Sequence, residues 1–131
     1  MGKNIVVEGC QLQDITGGGT VNITSQPNQS IKVQGKKAYF GTITVSVSGS
    51  RGLNGVINNG NGAGTGTITG TGTFVKGQSQ PAVLEGDTGI VTVYGTRTDP
   101  APPPAGSVTT SVSSTVTVKI TSAGQVKVVA L

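Results

Sequence analysis

Glu85 and Asp87 lie two residues apart, and on an extended chain that spacing puts both carboxylates on one face. Such a pair could divide acid and nucleophile roles in glycoside hydrolysis, or share a calcium ion. The surrounding Gly86-Asp87-Thr88-Gly89 reads more simply as a turn. The 131 residues include no histidine, which removes the commonest general base and the commonest metal ligand together. Cys10 is the single cysteine, so it has no imidazole to activate it and no partner for an intrachain disulfide. One thiol and five carboxylates do not match a structural zinc site. Glycine runs are plentiful, but none ends in the Lys-Ser/Thr of a phosphate loop or opens a helix. The chain reads as a non-enzyme, with no catalytic, cofactor-binding or metal residues and no cofactor expected.

The net charge of +4 comes from residues scattered singly, among them Lys3, Lys32, Arg51 and Arg97. Nucleic-acid binding would want them on one stripe with aromatics between. Only Lys36-Lys37 are adjacent, ahead of Tyr39-Phe40, and they read as a solvated turn. No nucleic-acid partner is expected. The leader Met1-Gly2-Lys3-Asn4-Ile5-Val6-Val7-Glu8 lacks an apolar core long enough for a signal peptide, so synthesis in a cytoplasm without classical export is expected.

The elements around these residues must be strands. Charged residues make up 11% and aromatics 3%, while glycine reaches 22 residues. Such a chain is held by backbone ladders and by small or β-branched side chains, around a thin core that leans on a partner or on extensive strand pairing. Period-2 alternation appears in Thr20–Thr24, in Thr42–Ser48 with Ile43, Val45 and Val47 on one face, and in Ser107–Thr121 with Val112, Val116, Val118 and Ile120 together. Thr65–Thr73 puts threonine at every odd position, leaving a nearly bare glycine face suited to close approach of another backbone; a low-complexity linker would look the same. Gly49–Gly66, with its Asn-Gly pairs, reads as a mobile surface loop.

Phe74–Tyr94 holds the densest bulky apolar run, and Ile31–Gly49 echoes it: apolar strand, turn, short apolar strand, glycine turn, alternating strand. One small β unit is therefore used more than once. The fold class is all-β, a compact array of short strands with glycine-rich turns, pseudo-threefold if the blocks Thr20–Ser48, Thr65–Tyr94 and Ser107–Val129 are equivalent. The expected division is a main β domain over 1–98, a proline-rich spacer over 99–106 and a C-terminal β-hairpin over 107–131, docked on a neighbouring element or partner chain.

Two stretches carry a resemblance: Met1-Gly2-Lys3-Asn4-Ile5-Val6-Val7-Glu8-Gly9-Cys10 and Val75-Lys76-Gly77-Gln78-Ser79-Gln80-Pro81-Ala82-Val83-Leu84-Glu85-Gly86-Asp87. Together with the glycine-punctuated strands, they resemble PAAR-like spike-tip proteins of contractile injection systems and phage-type tails. The resemblance implies a structural tip on the baseplate's central spike, one copy per homotrimeric spike, aiding membrane puncture through transient contact with the target membrane. It also implies incorporation in a contractile or tail-like particle. Members of the group often bind a metal near the apex through histidines and a cysteine; only Cys10 is present here, and that site is not carried over. The alternative from the residues alone is a β-sandwich decoration or ligand-binding module on a phage particle or cell surface.

Overall fold

In the computed structural model, residues 3–25, 32–33, 35–72, 76–77, 80–104, 106–124 and 129–130 are described. They form twelve strands: β1 (Lys3–Asn4), β2 (Gln11–Asp14), β3 (Thr20–Ile23), β4 (Lys32–Val33), β5 (Lys36–Lys37), β6 (Thr42–Ser50), β7 (Gly62–Thr69), β8 (Lys76–Gly77), β9 (Gln80–Pro81), β10 (Thr88–Pro100), β11 (Ser107–Ser122) and β12 (Val129–Ala130). A single 3-10 turn, Leu53–Gly55, is the only helical element among the described residues. The fold is all-β, as the alternating patterns require.

Six strands make one antiparallel sheet in the order β2-β11-β10-β7-β6-β3. Its outer strands, β2 and β3, are consecutive in the chain and lie against each other, so the sheet curls into a nearly closed barrel. The other six pair as three short hairpins, β1 with β12, β4 with β5 and β8 with β9. Along the chain the pattern repeats three times: a cap strand, two barrel strands, a cap strand. Each unit's first barrel strand pairs with the preceding unit's second, β6 with β3, β10 with β7 and β2 with β11. The echo between Ile31–Gly49 and Phe74–Tyr94 is a cap hairpin followed by a barrel strand, β4-β5-β6 and β8-β9-β10, although Ile31, Gln34, Phe74, Val75, Gln78 and Ser79 lie outside the described residues.

Along the barrel strands most hydroxyl residues face out and most aliphatic residues face in, with Ser50 buried and Ile90 and Val108 exposed. Ile43, Val45 and Val47 on β6, Val91 and Val93 on β10, and Val116, Val118 and Ile120 on β11 are all buried in one cluster. With so few aromatics, the barrel can fill only if its strands lie close. On β7 the threonines point outward and Gly62, Gly64 and Gly66 point inward beside the buried Ile68. A Cβ at Gly64 would run into the Thr92 carbonyl, and one at Gly66 would lie 2.7 Å from the Val91 side chain. Thr65–Thr69 is therefore strand, not linker, and its glycine face is where the neighbouring backbone approaches.

Three expectations are revised. The 99–106 stretch is not a spacer between units: Asp99 and Pro100 finish β10, and just before β11 Ala101 N–H donates to the Gly106 carbonyl at 3.1 Å, with Ala105 outside the described residues. The 107–131 stretch is no separate hairpin either. β11 pairs with β10 from Ser107 to Lys119 and with β2 at its C-terminal end, while the described β12 pairs with β1; residues 125–128 lie outside the described set. The physical reason is the aliphatic face of β11, which needs the barrel core to cover it. A β-sandwich is excluded too, because the six strands belong to one sheet closing on itself.

The 49–66 stretch is not a mobile loop. Gly49 and Ser50 end β6, Gly62 begins β7, and Ile57 between them is fully buried. Its asparagines extend the barrel. β10 runs past the end of β7, leaving the outer edge of Thr96–Thr98 without a strand. Thr96 N–H donates to Asn61 Oδ1 and Thr98 N–H to Asn58 Oδ1, both at 2.9 Å, while Asn58 Nδ2 returns a bond to the Thr98 carbonyl. Side-chain amides replace the missing strand. This arrangement meets the requirement that exposed-edge backbone groups find partners.

Where β2 turns into β3, the buried Asp14 carboxylate accepts N–H bonds from Thr16, Gly17 and Gly19 and a 2.7 Å bond from Ser50 Oγ. Burial opposes its charge, but these donors outweigh burial and hold the carboxyl below its ordinary value. A depressed folded value means that Asp14 contributes stability above the unfolded aspartate pKa of about 3.9, lost as pH falls through the lower folded value. We expect the urea midpoint to fall through that acid window. Asp14→Asn should cost about 1–3 kcal/mol at neutral pH and flatten that part of the profile. An equally steep acid limb in the variant would assign the loss to other groups.

Candidate functional site

Three extended segments link the cap hairpins to the barrel: Asn4–Glu8, Lys37–Gly41 and Pro81–Glu85. They meet around one axis and bond in a closed cycle. Val6 N–H donates to the Val83 carbonyl (2.9 Å), Val83 N–H to Tyr39 (3.1 Å) and Tyr39 N–H to Val6 (3.0 Å). A second cycle surrounds the first: Glu8 N–H to Lys37, Gly41 N–H to Pro81 and Glu85 N–H to Asn4, at 2.9, 2.7 and 2.8 Å. In both cycles the same offset in each segment donates to the same offset in the next. The chain thus has a pseudo-threefold axis written in its backbone.

Side chains obey the same rule. Val6, Tyr39 and Val83 point into the barrel and belong to its core. The residues on either side of them, Ile5 and Val7, Ala38 and Phe40, Ala82 and Leu84, form a second buried cluster of their own. Pairwise bridges join Ile5 to Leu84, Val7 to Ala38 and Phe40 to Ala82. Strand alternation makes this possible: one residue per segment faces the barrel and two face the cap. The hub closes one end of the barrel and carries the three hairpins beyond it.

Lysines concentrate on those hairpins. Lys3 lies on β1, Lys32 on β4, Lys36 and Lys37 on β5 and Lys76 on β8. Lys36 is exposed and its Nζ reaches the Gly124 carbonyl at 3.3 Å; Lys37 N–H donates to Glu8 Oε2 at 3.1 Å. The adjacent pair thus sits on a cap strand just after the Gly35 turn, beside a carboxylate.

The residues singled out for possible chemistry have structural tasks. Glu85 lies in a turn, its Oε1 accepting the Ala123 N–H at 3.0 Å. Asp87 is buried, accepting the Leu84 N–H at 2.8 Å and the Thr71 hydroxyl at 2.6 Å. Asp87 pins the turn it closes, whereas Glu85 holds the backbone at Ala123. Burial pushes the Cys10 thiol up to about 11 despite a backbone hydrogen bond that favours the thiolate, so it is protonated and weakly nucleophilic at neutral pH. Burial likewise raises the Tyr39 phenol, helped by the Cys10 thiolate once that thiol ionises and by the nearby Glu8 carboxylate. Among the described residues, no three His, Cys, Asp or Glu side chains gather as a metal site.

Sequence reasoning overlooked the hub itself. Its signal was present: Val6-Val7-Glu8-Gly9 and Val83-Leu84-Glu85-Gly86 share a pattern, valine, aliphatic, glutamate, glycine. Gly9 and Gly86 both take positive φ, +88° and +93°, as the chain leaves the axis for the barrel. The third copy, Tyr39-Phe40-Gly41-Thr42, has lost the glutamate and moved its glycine forward by one, which hides it. The chain matches no protein-family model, no curated protein and no solved structure.

Proposed function

We propose that this protein is a non-enzymatic tip that caps the homotrimeric central spike of a contractile injection system or phage-type tail, one copy per trimer. The observation carrying this reading is the closed cycle of hydrogen bonds through Val6, Tyr39 and Val83. The end of a homotrimer offers three identical surfaces. A single chain can meet all three alike only if it presents three similar faces of its own, and the three cap hairpins around the axis are such faces. Backbone pairing at those hairpins would cover spike strand edges that otherwise promote aggregation.

The mechanism in this reading is mechanical. Pairing with all three subunits closes the spike, and a rigid barrel beyond the hub concentrates the contraction force on a small area of target membrane. Contact with that membrane is transient, and no metal, cofactor or nucleic acid takes part. The protein is made in the cytoplasm and travels in the particle.

Copy number tests the reading directly. Quantitative mass spectrometry or cryo-electron microscopy of the intact particle is expected to find one copy per spike trimer. Dozens or hundreds of copies would make it a decoration or tube protein, and the tip reading would fall.

A further inference from the structure

The β10–β11 ribbon has two edges beyond the barrel, and they are treated differently. On β10 the edge at Thr96–Thr98 is covered by the amides of Asn58 and Asn61. On β11, pairing with β2 reaches only from Val118 onward, with Ile15 N–H donating to the Thr117 carbonyl and Thr16 Oγ1 accepting the Thr117 N–H just beyond. From Ser107 to Ser113, no strand or side chain among the described residues covers the outer side.

The direction of each backbone group follows from the ladder. Ile120 N–H donates to the Asp87 carbonyl, so even-numbered β11 residues bond to β10, and the register stays unshifted out to Pro100 and Ser107. Odd-numbered residues therefore aim N–H and C=O at the open edge: Ser107, Thr109, Ser111 and Ser113. Natural sheets protect such edges with lysine, proline or a bulge. None occurs between Ser107 and Ser113, and the segment bears no charge.

We infer that this edge pairs antiparallel with the same edge of a second copy, in a twofold register centred on Thr110. The inference is independent of the spike reading and concerns the free protein. In this register Ser107 faces the second copy's Ser113 and Thr109 its Ser111, so every outward N–H meets an outward C=O. The even positions then form the closer, non-hydrogen-bonded pairs. Val108, an exposed aliphatic side chain, meets the second copy's Val112, and symmetry makes the contact twice. An uncharged edge brings no like charges together, which favours self-pairing. The occupant is therefore a copy of this chain.

Sedimentation of the full-length protein should show a concentration-dependent species of twice 13.0 kDa. Ser111→Pro removes an N–H that points outward and leaves the β10–β11 bonds intact, so it should give a monomer with unchanged circular dichroism and the melting temperature of dilute wild-type protein. In a Cys10→Ser background, Thr110→Cys faces itself across the twofold axis and should form an intermolecular disulfide on oxidation with diamide. Thr44→Cys, on the outer face of β6, should not. The cross-link decides the matter if the proline variant does not fold. A wild-type protein that stays monomeric into the hundreds of micromolar, a dimer that persists in folded Ser111→Pro, or equal cross-linking at residue 44 would each overturn the inference.

Discussion

Val83→Asp is expected to abolish cooperative folding. Val83 is fully buried, its side chain belongs to the barrel core, and its backbone donates and accepts in the inner hub cycle. An aspartate there would hold an unpaired carboxylate where three segments converge. The cost is several kcal/mol, comparable with the whole stability of a small domain. The expected result is loss of the urea transition and insoluble expression. Glu85→Ala, two residues away, removes one partly buried acceptor from the Ala123 N–H and should cost only about 1 kcal/mol. A Val83→Asp protein that unfolds cooperatively near the wild-type midpoint would show that the hub is not a core element.

Gly64→Ala is expected to be nearly as damaging, although it adds one methyl group. The Cβ would be driven into the Thr92 carbonyl on the adjacent strand, and backbone cannot swing aside as a side chain can. β7 and β10 must separate, opening the barrel where its wall is thinnest. A loss of about 3 kcal/mol or more is expected, at the upper end for overpacked sites. Thr65→Ala, on the outer face of the same strand, should change stability by no more than about 0.5 kcal/mol. Chemical denaturation of the two variants side by side checks the contrast. Equal effects would mean that the glycine face is not a contact surface.

The all-β class was legible because period-2 patterning is local. The faces of Ile43, Val45 and Val47 and of Val116, Val118 and Ile120 could be assigned from parity alone, and all are buried as assigned. The absence of histidine excluded imidazole chemistry as early, since no fold can supply a missing side chain. The threefold repeat was half legible: two copies echoed each other, but the third is split between the chain ends, where β1 pairs with β12. No linear scan joins residues 3 and 130.

Only the tertiary structure decided what each local pattern is for. The prolines at 100–104 look like a spacer in sequence, yet they turn one barrel strand into the next because β11 has an aliphatic face to bury. The Asn-Gly run at 54–62 looks mobile, yet its amides complete a strand edge that exists only once β10 outruns β7. Asp14 and Asp87 look like spare acids until the turns they pin are folded around them. The hub was least visible of all. Its bonds join residues up to 81 positions apart, from Asn4 to Glu85, and long-range backbone pairing leaves no trace in the side-chain alternation of any single segment.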